Sequence, residues 1–309
     1  MKAIVLEQFG GVEKLLVKDV PTPGIKSGEV LIKAKAFSVN PVDYKTREGK
    51  GAAKRLTLPI ILGWDVCGEV VELSNNSKFK VGDIVFGLVN FPGEGKTYAE
   101  YVVAPAEHVV KKPANISEVE AAAIPLVALT AYQTLIKEGK INQDSRVLIQ
   151  SASGGVGHVA VQIAKSVRAY VVAVASGKNR DFVLSLGADE FIDYEKENFA
   201  DIVKDIDVVL DCVGGETALK LVSVIKDGGK LISLPASPFD DKPNTINPTV
   251  ETPFMLVHSS QEDMQIISNL MQSEKLKVHI HQTFPFNQIK EAHQLLEFGG
   301  VRGKMVVLV

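Results

Sequence analysis

The sequence predicts an α/β protein in two parts: a mostly β part up to about residue 120, then a doubly wound parallel sheet. Three observations carry this. Up to residue 120, short apolar runs alternate with turn signals, and few long helical patterns intervene. Beyond it, short apolar runs without strict alternation, as expected of strands buried on both faces, are separated by helical stretches. The glycine-rich stretch "SASGGVGHVA", Ser151 to Ala160, lies between the first of those runs and the first of those helices.

Taken in order, "MKAIVLEQFGG" reads as a first strand and a turn. Its apolar run stops at Glu7, too soon for a signal peptide. "KAIVLE", "EVLIKAKAFSV", "CGEVVEL", "DIVFGLV" and "AEYVVAP" read as strands, with "PTPG", "SNNSKFKVGD" and "NFPGEGK" as turns between them. "AAAIPLVALTAYQTLI", Ala121 to Ile136, is the longest uncharged apolar segment. It is shorter than a membrane span and contains Pro125, so it reads as a buried helix with its entry turn. "RVLIQ", "AYVVAVA", "EFIDY", "DVVLDCV" and "KLISL" then read as the parallel strands, with "GVGHVAVQIAKSV", "NRDFVLSLGA" and "ETALKLVSVIKDG" as helices. In the tail, "SQEDMQIISNLMQSEK" has helical spacing, and "FNQIKEAHQLLEFGG" is among the stretches that follow it. "LKVHIHQTF" and the valine-rich "GKMVVLV" read as strands, the last returning to a sheet, that of the first part. No internal repeat is visible.

A chain of 309 residues corresponds to about two domains. A net charge of −3 with no basic stripe gives no footprint for nucleic acid. Two cysteines, Cys67 and Cys212, are too few for a disulfide framework or a zinc cluster, and a reducing, cytoplasmic setting is the default expectation.

The glycine turn reads Ala152-x-Gly154-x-x-Gly157, with Gly155 and Val156 in between. Small residues at this spacing allow a tight turn, a close approach of backbone to a pyrophosphate, and close packing of helix on strand. The free N–H groups and the dipole at the helix start then face the phosphate. An NAD site wants an acid at the end of the next strand. That strand ends at Ala175-Ser176-Gly177, followed by Lys178 and Arg180. Ser176 offers a hydrogen-bond donor and the two cations suit a 2′-phosphate, so NADPH is the expected cofactor. Cations at a helix start oppose the dipole and need another reason to be there.

These stretches together resemble the medium-chain dehydrogenase/reductase superfamily, in its zinc-free quinone oxidoreductase branch. The resemblance rests on "SVNPVDYKTREG", "LGWDVCGEV", "KVGDIVFG", "YAEYVV", "AAAIPLVALTAYQTL", "SASGGVGHVAVQIAK", "LGADEFIDY", "DVVLDCVGG" and "GGVRGKMVVLV", in that order, and covers essentially the whole chain. The Asn40-Pro41-Val42-Asp43-Tyr44-Lys45 run is similar to that of alkenal and enone reductases. The resemblance implies a GroES-like β domain, residues 1–120 and 258–309, and a Rossmann domain, residues 121–257. It also implies use of NADPH and a homodimer.

The resemblance further implies that no metal is bound. Where zinc-dependent relatives carry a cysteine and a histidine–glutamate pair, this chain has Ser38, Val39 and Asn40, then Trp64 and Asp65. Cys67 has no obvious partner, and His279 and His281, alternating on a strand, lack the third ligand that zinc needs. Without a Lewis acid, an isolated ketone is hard to reduce. A conjugated acceptor is easier, because its negative charge spreads to an oxygen that hydrogen-bond donors can hold. The expected activity is therefore NADPH-dependent reduction of α,β-unsaturated carbonyls or quinones. The alternative is a non-catalytic NADPH-binding redox sensor or structural, crystallin-like protein.

Within the active-site loop that the resemblance implies, Lys45 is the expected donor, holding the substrate carbonyl or ordering the nicotinamide ribose. Tyr44 is a second candidate, with a core or surface tyrosine as its alternative. Asn40 and Asp43 belong to the same loop, where each could instead cap or close it. On the cofactor side, resemblance adds Thr130 near the nicotinamide, Tyr194 near the 2′-phosphate, and Lys304 in the returning tail.

Overall fold

The structure, a computed structural model, describes residues 1–75, 78–235 and 245–309; Asn76 and Ser77 of the predicted turn "SNNSKFKVGD" lie outside the described residues. The chain forms two units, Met1–Leu129 with Val257–Val309, and Thr130–Leu256. Among the described residues no helix is long and apolar enough to cross a membrane.

In the first unit the chain runs β1 (Lys2–Leu6), β2 (Leu15–Asp19), β3 (Glu29–Val39), α1 (Pro41–Arg47), β4 (Ile60–Ile61), β5 (Asp65–Leu73), β6 (Ile84–Leu88), β7 (Tyr101–Pro105), β8 (Val109–Lys111) and α2 (Glu118–Ala123). Strands β2, β1 and β4 form one sheet. The other sheet runs, in spatial order, from two C-terminal strands through β3, β5 and β6 to β8, with β7 also on β3. β2, β4 and β8 are strands that the sequence pattern does not announce. They have two to five residues, too few for period-two alternation to stand out.

The second unit follows α3 (Pro125–Tyr132) and a π turn (Gln133–Glu138) with β9 (Arg146–Gln150), α4 (Gly155–Ser166), β10 (Tyr170–Ala175), α5 (Arg180–Ser185), β11 (Glu190–Asp193), α6 (Phe199–Ile202), β12 (Ile206–Asp211), α7 (Gly215–Val222) and β13 (Ile225–Ser233). All strands are parallel, in the order β11-β10-β9-β12-β13. This is the doubly wound order 3-2-1-4-5, with its reversal of strand order between β9 and β12. Leu148, Val172, Val209 and Leu231, from four strands, share one buried cluster, which explains why these runs read as continuously apolar.

The chain returns to the first unit through α8 (Gln261–Gln272), β14 (Ile280–Pro285), α9 (Ile289–Phe298) and β15 (Lys304–Leu308). β15 pairs antiparallel with β3, with Met305 opposite Val39 and Val306 opposite Ser38. Phe284, Ile289, Met305 and Val307 complete a core with Ile4, Leu6, Phe37 and Tyr98.

Three expectations are corrected. The boundary between units falls within α3, at 129/130 rather than 120/121, because α2 packs on β5, β3 and β15 of the first unit. "ETALKLVSVIKDG" is not one helix: α7 stops at Val222, and Ile225 already pairs with Ile206. Gly228, at φ +73, and Gly229 follow within the strand, where a helix would be costly. In "LKVHIHQTF" the strand begins only at Ile280, and the pairing with β15 shifts register between Ile280 and Gln282. His279 therefore lies outside β14, and the two histidines do not alternate along a regular strand.

Candidate functional site

The glycine turn is built as its residue types require. Ser151 takes φ +54, and Ala152, fully buried, donates its N–H to Val174 O at 3.0 Å, tying the turn to β10. Gly154, extended at φ −80 and ψ −174, is the N-cap of α4, and its N–H goes to Ser151 O at 2.9 Å. A Cβ on Gly157 would lie 2.1 Å from Ser151 O and 2.7 Å from Ala152 Cα, so only glycine lets α4 sit this close to β9. The N–H groups of Gly155, Val156 and Gly157 in the first turn have no intrahelical acceptor. His158 N–H closes the helix onto Gly154 O at 3.1 Å. Gln150, ending β9 just before the turn, keeps its buried Oε1 without a hydrogen-bond partner. A cradle that a Cβ would fill, with donors at a helix N-terminus, fits the pyrophosphate of a dinucleotide.

The residues expected around a 2′-phosphate meet at the carboxyl ends of β10 and β11, which are adjacent and in register, Ala175 opposite Asp193. Ser176 accepts a hydrogen bond from Asn179 Nδ2 at 3.0 Å, which leaves its own hydroxyl proton to give. Lys178 and Arg180 are exposed, and the Arg180 guanidinium lies 5.4 Å from the centre of the Phe191 ring. Tyr194 is 58 % exposed and donates its N–H to Ala175 O at 3.3 Å. One carboxylate that the sequence reading did not find also stands here. Asp193 Oδ1 accepts the Gly177 N–H at 3.0 Å and the Glu195 N–H at 3.2 Å. Asp193 comes from β11 rather than from β10, so only strand pairing reveals it. Its bonds to Gly177 and Glu195 fix the shape of the edge. Thr130, expected near the nicotinamide, is buried inside α3.

In the first unit, Asn40 caps α1 and Pro41 is its first residue. Asp43 and Arg47, four apart, take the buried face, and Lys45, about 200° around the helix from Asp43, takes the outer one. Lys45 is half-buried; its carbonyl accepts the Lys50 N–H at 2.8 Å, while its ammonium makes no hydrogen bond or ion pair among the described residues and so has donors to give. Tyr44 is also half-buried; burial, then Glu48 and Glu297, push its phenol up, so it stays protonated near neutral pH.

Asn40 and Asp43 are corrected as candidate catalytic groups. Both are fully buried, and of their side-chain polar atoms Asp43 Oδ1 alone lacks a hydrogen-bond partner. Asp43 Oδ2 accepts the Asn40 N–H at 2.6 Å, the return half of a capping box. Asn40 Nδ2 donates to Asp65 Oδ2 at 2.8 Å. Asp65, also fully buried, accepts the Ser38 hydroxyl at 2.5 Å and the Leu126 N–H at 2.8 Å. Burial pushes the Asp43 carboxyl up to about 7, against the hydrogen bond from Asn40 and with help from the charge of Asp65.

Lys304 is corrected as well. Its side chain turns into the first unit, 3 % exposed, and Nζ donates to Val39 O at 3.1 Å and to Asn40 Oδ1. Burial pushes its pKa down, while Asp65 and then Asp43 pull it up. A lysine in a glycine-flanked tail gives no hint of this from sequence. The β3–β15 register decides it, by setting Lys304 opposite Asn40.

At the other end of α1, Arg47 is 1 % exposed. Its Nε donates to Gly10 O at 3.0 Å, and Nη1 donates to Glu297 Oε1 at 2.6 Å and to His293 Nδ1 at 3.4 Å. A guanidinium has no acceptor, so His293 Nδ1 is the accepting nitrogen and Nε2 carries the proton. That proton goes to the Tyr98 hydroxyl oxygen at 3.2 Å. Burial, then the charge of Arg47, push His293 down to about 3 and keep it neutral. The Tyr98 hydroxyl lies near enough to Asp43 to lower its pKa, but Asp43 Oδ1 makes no hydrogen bond of ordinary geometry. The sequence signal for His293 is a polar residue on the apolar stripe of α9, with Ile289 and Ala292 buried beside it.

The positions where a catalytic metal would be held carry other work. Trp64 is buried, and its indole N–H donates to Gly93 O at 2.6 Å. Among the described residues no three His, Cys, Asp or Glu side chains gather as a metal site.

Compared with known proteins, the chain matches the alcohol dehydrogenase GroES-like domain family over residues 26–114 and the zinc-binding dehydrogenase family over residues 186–307. It is 37 % identical to a 2-methylene-furan-3-one reductase of Solanum lycopersicum, over 99 % of this chain and 79 % of that protein. It is 34 % identical to a chloroplast envelope quinone oxidoreductase homolog of Arabidopsis thaliana, over 96 % of this chain and 95 % of the relative. Among solved structures, the quinone oxidoreductase of Coxiella burnetii superposes with a TM-score of 0.94 at 36 % identity, covering 100 % of this chain and 99 % of that one. A mycobacterial protein solved with NADPH superposes with a TM-score of 0.88 at 27 % identity, both chains being covered in full.

Proposed function

We propose that this chain, which belongs to the medium-chain dehydrogenase/reductase superfamily in its quinone and enone oxidoreductase branch, is an NADPH-dependent reductase of α,β-unsaturated carbonyls or quinones. The observation that carries the reading is the dinucleotide turn flanked by an edge that carries Lys178 and Arg180 with Ser176 and Tyr194, in a chain whose relatives include one named a 2-methylene-furan-3-one reductase and one named a quinone oxidoreductase homolog.

NADPH, when bound, supplies hydride to the β-carbon of a conjugated carbonyl or to a quinone. The chain's own residues then have two tasks. The α4 N-terminus and the cationic edge hold the phosphates. The outer face of α1 offers Lys45, with Tyr44 second, as donors to the substrate oxygen on which negative charge develops. Neither carries a structural bond that would have to break first. The enolate takes its proton from solvent.

The reaction is read as zinc-independent, because Ser38, Asn40, Trp64 and Asp65 are committed to one another and to backbone. The protein is further read as a cytoplasmic homodimer acting on small molecules, without nucleic acid or membrane. Its two thiols, Cys67 and Cys212, are unpaired, as a reducing compartment would leave them. The test is NADPH oxidation screened against alkenals, enones, alkyl-substituted quinones and simple ketones. Steady turnover of conjugated acceptors or quinones, little of simple ketones, and no loss on chelation are expected. No turnover of any conjugated acceptor would leave a binding protein in its place.

A further inference from the structure

Helix α1 carries both donor candidates, yet it has only seven residues. A helix this short is marginal on its own, because the cost of its first turn is hardly repaid. Its direction must be imposed from outside, and the groups that impose it come from the far end of the chain. At the N-cap, the Lys304 ammonium reaches Val39 O at 3.1 Å and Asn40 Oδ1. At the last turn, Arg47 meets Glu297 at 2.6 Å and the accepting nitrogen of His293 at 3.4 Å. Lys304, Asn40, Arg47 and His293 are all buried. Each anchor satisfies a polar atom of α1 or its cap, so losing one leaves an unpaired group inside and favours a different loop conformation.

We infer that the C-terminal segment clamps the reactive helix at both ends, with Lys304 as the positioning residue at its N-cap and His293, backed by Glu297, as the positioning residue at its last turn. Lys304 is thus neither a cofactor contact nor a donor to substrate. A single buried ammonium answers the two inward carboxylates, Asp65 and Asp43, and bonds the side chain of Asn40, which in turn holds Asp65. Its removal alone would strand a charge on Asp65. The informative variant therefore neutralises both, Lys304→Met with Asp65→Asn. His293→Gln loosens the other end without adding charge. The inference rests on the reductase reading for its kinetic consequence, but not for its structural one.

The experiment uses the full chain and two readouts. By hydrogen exchange, the amides of residues 42–47 are expected to exchange faster in either variant while β1, β3 and β5 keep their protection. Unchanged protection of 42–47 would overturn the inference whatever the activity. In turnover of but-3-en-2-one at saturating NADPH, kcat is expected to fall by roughly tenfold to a hundredfold, the cost of about 1 Å of misplacement. Directly measured NADPH affinity is expected to stay within about twofold, and Lys45→Met is expected to cost much less in the loosened background than in the wild type. A tenfold loss of NADPH affinity with kcat preserved would instead make Lys304 a cofactor residue. Full additivity with Lys45→Met would make the clamp merely structural. If the Lys304 pair does not fold, His293→Gln reads the same quantities. A wild type that turns over no enone or quinone defeats the reductase reading and leaves the exchange result to decide the clamp.

Discussion

Replacing Gly157 and Gly154 one at a time with alanine separates what the turn does for the fold from what it does for a ligand. At Gly157 the new Cβ would lie 2.1 Å from Ser151 O, 2.8 Å from Ser151 C and 2.7 Å from Ala152 Cα. Real Cβ atoms essentially never come within 3.0 Å of such neighbours, so helix and turn must part by about 0.9 Å, which is 3.0 less 2.1. All three neighbours are backbone or bonded to it, and no side chain can swing aside. Overpacking of this kind costs about 1–3 kcal/mol. Moving the α4 N-terminus also weakens the N–H bonds to the pyrophosphate, each worth about 1.5–3 kcal/mol when the acceptor is charged. Gly157→Ala should therefore lower stability in chemical denaturation by about 1–3 kcal/mol and weaken NADPH binding by roughly tenfold to a hundredfold. At Gly154 the backbone is at φ −80, open to any residue, and the nearest atoms are Ser151 Oγ at 3.0 Å and Ser151 O at 3.3 Å. The hydroxyl can rotate away. Gly154→Ala should leave stability within about 1 kcal/mol of the wild type, yet weaken NADPH binding, because its Cβ takes space the phosphates approach. Calorimetric titration with NADPH and urea unfolding read both quantities. A Gly154→Ala chain that binds NADPH as the wild type does would refute the ligand argument, and an equally stable Gly157→Ala chain would refute the packing argument.

Three further outcomes are expected. Lys178→Ala should weaken NADPH binding by roughly tenfold to a hundredfold, the worth of one charge-assisted bond, and leave NADH unchanged; equal use of both cofactors by the wild type would remove the basis for this. Lys45→Met should lower kcat on an enone at least about tenfold, within the roughly 10²–10³ that one oxyanion donor supplies, with NADPH binding unaltered; a loss confined to NADPH affinity would place Lys45 on the cofactor side. Asp43, raised by burial from 3.8 to about 7, binds a proton in the folded chain that the unfolded chain releases above pH 4. Its contribution to stability is thus complete below about pH 4 and is lost as pH rises through about 7. Relative to Asp43→Asn, the wild type should lose stability as pH rises from about 4 to about 7, at most about 1.4 kcal/mol per pH unit; a pH-independent difference would show that the carboxyl titrates normally.

What the sequence by itself determined is what a few neighbouring residues decide. The small residues at 152, 154 and 157 admit one kind of turn, because steric room for a backbone approach is a local property. The runs of β9 to β12 read as doubly buried strands because their apolar residues follow one another without strict alternation with polar ones. The capping role offered for Asn40 and Asp43 was legible from their types and their three-residue spacing. The tertiary structure decided whatever depends on which distant atoms meet. Asp193 reaches Gly177 because β10 and β11 pair in parallel register. Ile225 joins a strand because Ile206 is there to pair with it. Lys304 turns inward because the β3–β15 register sets it across from Asn40, 264 residues away. A lysine's own chemistry suits solvent, a phosphate or a buried carbonyl equally well, and only the free energy of the groups that surround it in the fold selects among them.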